Sequence, residues 1–137
     1  MKIITLLTSA LLITTFSVVN LYATPKKPFL IQDELPHLSG MVHILWDDED
    51  VALTNEQKKQ LLSIKQNTMS KAKALGEVIN TLEAEIVKAS ADDVIPNSLK
   101  ESVEKLALLR AKATMIHLNC IYNTRAVLTQ EQLEIIE

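Results

Sequence analysis

The sequence predicts an all-α protein, one long antiparallel helical hairpin with short flanking helices. Three observations lead there. The phrase Leu-Thr-x-x-Gln occurs twice, as Leu53-Thr54-Asn55-Glu56-Gln57 and as Leu128-Thr129-Gln130-Glu131-Gln132, and each copy is a helix-start signal. Apolar residues between them recur in steps of three and four, the spacing of one helix face. A single break, Ala91-Asp92-Asp93-Val94-Ile95-Pro96-Asn97, divides that pattern into two rods.

The two copies carry a physical meaning of their own. A Thr followed three residues later by Gln is a capping box, in which the hydroxyl accepts from the third backbone N–H and the Gln side chain reaches back to the Thr N–H. Glu56 and Glu131 place negative charge in the first turn, where the helix dipole favours it. Leu53 and Leu128 precede the caps and can staple the incoming chain. Thr129 caps only a short terminal segment, so its loss is expected to matter less than that of Thr54.

Residues 1–23 are read as outside the fold. Lys2 gives a short basic start, 3–19 is almost entirely apolar or small, and Ala23 offers a small residue before Thr24-Pro25-Lys26-Lys27-Pro28. This is the pattern of a cleavable secretory signal peptide. The alternative is an uncleaved anchor, since the run approaches the ~20 residues that span a bilayer and Leu21 is large for its place. With residues 1–23 removed, 13 basic residues face 17 acidic ones. No basic block exists beyond Lys26-Lys27, so nucleic acid is not an expected partner. The remainder is one small domain. Its single cysteine, Cys120, has no internal disulfide partner and is a buried thiol, a metal ligand or half of an intermolecular bridge.

Along the chain, 24–34 reads as a proline-punctuated, flexible leader, and 35–137 as the helical domain. A short helix is expected over 35–46, with Pro36 in its first turn and Leu35, Leu38, Val42 and Leu45 near one face. Asp47-Asp48-Glu49-Asp50 reads as a solvated acidic turn; the Gly and spaced acids of a calcium loop are missing. From 54 to about 90, Leu61, Ile64, Thr68, Ala72, Leu75, Ile79, Leu82, Ile86 and Ala89 form a heptad seam. That rod is about 50 Å long, and Gly76 within it marks a bend or a close contact at a cost of about 1 kcal/mol. Ser98 and Glu101 read as another capping box, opening a second rod to about 126. Its stripe is Leu99, Val103, Leu106, Leu109, Ala113, Ile116 or His117, Cys120 and Val127. A short turn forces the two rods antiparallel. Residues 129–137 add a last turn or two of helix.

Leu62, Val78, Val87, Leu108, Met115 and Leu118 lie outside the seam, so a homodimer is expected to cover part of this surface. Aromatic residues are scarce (4% of the chain), which argues for an aliphatic helix-packed core and against a pocket for a flat cofactor. Cys120 and His117 lie one helical turn apart, but a coiled-coil seam supplies no oxyanion hole, and no phosphate loop or zinc-protease motif occurs. A non-enzyme is expected.

The doubled motif in a short exported helical chain resembles the LTxxQ-motif periplasmic proteins, the Spy and CpxP group, over nearly all of the chain after the signal peptide. The resemblance implies a cradle-shaped, all-helical dimer in the periplasm. Its implied partners are unfolded envelope proteins or an envelope-stress or metal-signalling protein, with no stable membrane insertion after cleavage. The stretch Thr124-Arg125-Ala126-Val127-Leu128-Thr129-Gln130-Glu131-Gln132 is also similar to the Met-Arg-Ala-Val-Leu-Thr-Pro-Glu-Gln signature of related periplasmic heavy-metal sensors. Those sensors carry a His and a Met where this chain has Cys120 and Thr124, and a carboxylate where it has Lys65. Two readings follow. The first is an ATP-independent chaperone-like binding protein without cofactor. The alternative is a sensor or binder of Zn, Ni, Co or Cu using His37, Met41, His43, His117 and Cys120, since imidazole and thiolate suit such ions. The competing view of Cys120 and His117 is that they face the core or an interface, as free cysteines commonly do.

Overall fold

The computed structural model describes residues 27–31 and 34–137, so the expected signal peptide and the first residues of the leader lie outside the described residues. Four helices follow in order: α1 (Leu38–Ile44), α2 (Asn55–Ala91), α3 (Pro96–Val127) and α4 (Gln130–Ile136). No strand occurs among the described residues, and no helix there is long and apolar enough to cross a membrane. The all-helical expectation therefore holds, and α2 packs along α3 as the dominant contact.

Local chemistry explains where each helix begins. Thr54 caps α2 and Thr129 caps α4, each with both halves of the capping box formed. The expected box at Ser98 and Glu101 is not used. Ile95 occupies the cap position without a side-chain bond, and Pro96 is the first helical residue. Proline's fixed φ suits that position and it lacks an N–H to satisfy, so α3 starts two residues before Ser98. The first helix is also shorter than expected. It begins after His37 and stops at Ile44, which leaves Pro36 outside it.

The turn between the rods has a defined closure. Val94 N–H donates to Ala89 O at 3.0 Å and Asp93 N–H to Ser90 O at 3.3 Å, with Asp93 in the left-handed region at φ 57°. This is the paired-bond ending that satisfies the last carbonyls of a helix. The acidic turn is likewise more than solvated charge. Asp48 Oδ1 accepts from the N–H groups of Asp50 at 3.0 Å and Val51 at 3.2 Å, and Asp47 pairs with Lys58 at 2.8 Å.

The core sits at the open end of the hairpin. Leu38, Val42, Val51, Leu61, Leu128 and Ile136 form it, with Trp46, Leu53 and Leu133 packed around them. Beyond it the molecule is two helices thick, and Ile79, Leu82, Ala113 and Cys120 are the buried apolar residues of the α2–α3 seam. Val103, expected in the seam, is half exposed, whereas Thr124 is buried. Thr124 continues the three-and-four spacing from Ala113, His117 and Cys120, so periodicity could have found it. α2 runs unbroken through Gly76. Pro28 lies against it, 3.9 Å from where a Cβ would stand.

Candidate functional site

Three features could serve function: the paired motifs at the base, a segment lying across one flank of the hairpin, and an open groove on the other flank.

The motifs do more than start helices. Gln57 Oε1 accepts from Thr54 N–H at 3.0 Å, and Gln132 Oε1 accepts from Thr129 N–H at 2.9 Å. The amide nitrogens cross over. Gln57 Nε2 donates to Gln132 Oε1 at 2.8 Å and to Val127 O at 3.0 Å. Gln132 Nε2 donates to Gln57 Oε1 at 3.2 Å and to Val51 O at 2.9 Å. Each side-chain amide thus uses both donors and its acceptor, in a nearly symmetric clasp between the starts of α2 and α4. An amide is the side chain that can cap its own helix and still donate twice elsewhere. Leu53 and Leu128 flank the clasp within the core. Cross-pairing was not visible from either motif alone, because nothing in a capping box says which other chain segment its amide will meet.

On one flank, residues 27–31 cross the hairpin. Leu30 N–H donates to Thr114 Oγ1 at 2.8 Å. Arg110 Nη1 donates to Lys27 O at 3.3 Å and Phe29 O at 3.4 Å, while Nη2 pairs with Glu83 at 2.5 Å. The Phe29 ring stacks on His117 with centroids 4.8 Å apart, and His37 stacks on the same imidazole at 5.4 Å. Lys27 Nζ lies 3.5 Å from His37 Nε2. Burial, then the neighbouring His37 and Lys27, push the His117 imidazole below its ordinary value. Its Nδ1 is buried without a hydrogen-bond partner among the described residues, as is Thr124 Oγ1.

The five candidate metal ligands are dispersed. His37 and His117 meet, but as rings only 21° from parallel. In-plane lone pairs of parallel rings run side by side and do not converge on one ion at the ~2 Å that metal–nitrogen bonds require. His43 packs edge-on to Trp46, Met41 packs against the core, and Cys120 is buried in the seam. Among the described residues no three His, Cys, Asp or Glu side chains are grouped so as to hold a metal. Of the five, His37 and His117 are the pair brought into ring contact.

The opposite flank of the seam carries an open groove of about 700 Å³, lined by Ala74, Leu75, Val78, Met115 and Ile116 together with Lys71 and Lys112. Helical geometry separates it from the first flank, since Gly76 and Glu83 fall on the other side of the α2 seam from Lys71, Ala74 and Val78. It continues toward the turn past Glu77, Thr81 and Glu85, and toward the base past Asn67, Asn119 and Asn123.

Comparison with protein-family models, curated proteins and solved structures finds no match to this chain.

Proposed function

We propose that this chain is a non-enzymatic, chaperone-like binding protein of the periplasm, exported by its N-terminal segment, that shields apolar stretches of unfolded envelope proteins. The open groove carries this reading. Val78 is about half exposed there, contiguous with Leu75 and Ile116 and bordered by lysine. Apolar contacts diluted by long polar side chains favour loose holding of many sequences over one tight fit.

The working unit on this reading is a homodimer. Leu108, Ala111, Met115, Leu118 and Tyr122 make a second three-and-four stripe on α3, and Leu108, Met115 and Tyr122 are more than half exposed. The stripe is complementary to its own reversed copy. With Met115 at the centre, Leu108 faces Tyr122, Ala111 faces Leu118, and Glu104 faces Arg125 at each end. A parallel pairing would set like charges opposite one another. A second α3 laid there would wall the groove along its Met115 edge and give the curved face that the family resemblance implies.

The test pairs aggregation suppression of a denatured client with metal analysis of the same purified protein. Suppression by a protein with substoichiometric metal is expected, together with its loss in Val78→Asp at unchanged helicity. Cys120→Ser is expected to leave protection intact. Stoichiometric tightly held metal without suppression, abolished by Cys120→Ser, would overturn the reading in favour of a metal-binding protein.

A further inference from the structure

We propose that the flank of the hairpin formed by Gly76, Glu83, Arg110, Thr114, His117 and His37 is a binding site for extended peptide segments of the form Pro-aromatic-aliphatic, and that residues 27–31 are its resident, displaceable ligand. This site lies on the flank opposite the open groove, so the inference goes beyond the client-binding reading and adds a second, segment-selective site with a built-in competitor.

The hydrogen bonds from the hairpin to this segment reach its main chain. Arg110 donates to the carbonyls of residues 27 and 29, and Thr114 accepts from the N–H of residue 30. One guanidinium nitrogen engages both carbonyls, on either side of Pro28, before the chain bends at Leu30 and Ile31. Each receiving group is also bonded to the hairpin itself. Arg110 is held by its ion pair with Glu83. The Thr114 hydroxyl donates to Arg110 O at 2.9 Å, which leaves its lone pairs for an incoming N–H. Contacts to main-chain atoms read an extended backbone whatever its sequence, and side-chain seats then select among extended chains.

Two such seats are present. The imidazole of His117, backed by His37, stacks on the aromatic ring, and a neutral imidazole suits that role better than a charged one held beside Lys27. Pro28 rests over Gly76, within van der Waals reach of where a Cβ would stand. The aliphatic residues that follow are held less firmly. Leu30 is 55% and Ile31 38% exposed, and neither belongs to the core cluster at the hairpin base. The segment is held by directional contacts to its main chain and one ring stack, and the core cluster at the hairpin base contains none of its residues. That is the character of a ligand tethered at the high effective concentration of a short linker.

The experiment follows a fluorescein-labelled Lys-Pro-Phe-Leu-Ile peptide by anisotropy against the full chain. Phe29→Ala, with helicity checked by circular dichroism, is expected to free the site and tighten peptide binding about tenfold, as loss of an aromatic anchor in the competing segment should. In that background Thr114→Val, or a peptide with Ala in place of Phe, should weaken binding by a similar factor. Unchanged affinity in Phe29→Ala, or equal binding of the Ala peptide, overturns the proposal. The unsubstituted chain provides a second measurement, in which excess peptide should accelerate hydrogen exchange at the Leu30 amide. Exchange that is insensitive to peptide overturns the proposal equally. Aggregation suppression in the same samples separates the two readings. Peptide binding without suppression upholds the site and sinks the chaperone assignment, and suppression without peptide binding does the reverse.

Discussion

Replacing Gln132 with Ala should be among the most destabilising single changes outside the apolar core. The residue is 8% exposed, and its side chain takes part in four interactions: with Thr129 N–H, Val51 O, and both polar atoms of the Gln57 amide. Truncation removes all four. The more serious effect is on the partners left behind. Val51 is 1% exposed, so its carbonyl has no route to water, and an orphaned buried group costs about 1–3 kcal/mol. The Thr129 N–H and the Gln57 amide lie nearer solvent and lose less. A total near 3 kcal/mol is expected, against about 1 kcal/mol for an ordinary cap loss such as Thr54→Ala. Thr129→Ala should cost a similar ~1 kcal/mol, because the helix it caps carries Gln132 and the buried Ile136. Urea unfolding followed by circular dichroism at 222 nm supplies the values for Gln57→Ala, Gln132→Ala and the double variant. Because each single change already breaks the clasp, the double variant should lose less than the sum, with a coupling of about 1 kcal/mol or more. Additivity within about 0.3 kcal/mol would show the two glutamines acting as separate caps and would refute the clasp.

Two further outcomes follow from the flank that holds residues 27–31. Gly76→Ala should stabilise the protein by up to about 1 kcal/mol, since the added Cβ would meet Pro28 at an ordinary 3.9 Å; a loss of stability would mean that Pro28 lies closer than that. His117 is held below its ordinary value of 6.5 by burial, His37 and Lys27, so the fold favours its neutral form. That contribution is fully present above 6.5 and is lost as pH falls from there through the folded value, because the unfolded chain then binds more protons. Residues 27–31 should accordingly lose protection on acidification. A His117 resonance titrating at or above 6.5 would contradict this.

Helix content, the two capping boxes and the hairpin were legible in the sequence because each depends on residues close together in the chain. Thr54 and Gln57 specify their helix start by spacing alone, and the acidic, proline-bearing break at 91–97 compels the second rod to return. Local rules also gave the wrong start for α3. Ser98 and Glu101 satisfy the pattern of a cap, but Pro96 pre-sets the first helical φ and takes the position. Other features depend on which segments meet, and only the tertiary structure decided them. A capping glutamine has a spare amide, and folding chose Val127, Val51 and the other glutamine as its partners. Gly76 announced a close approach without naming Pro28 as the neighbour. His37 and His117 were both singled out as possible metal ligands, and folding stacked their rings beside Phe29. Spacing along a helix fixes the face on which a donor sits, but the angle between donors on different elements is fixed by packing, and that angle determines whether two imidazoles share an ion or lie flat against each other.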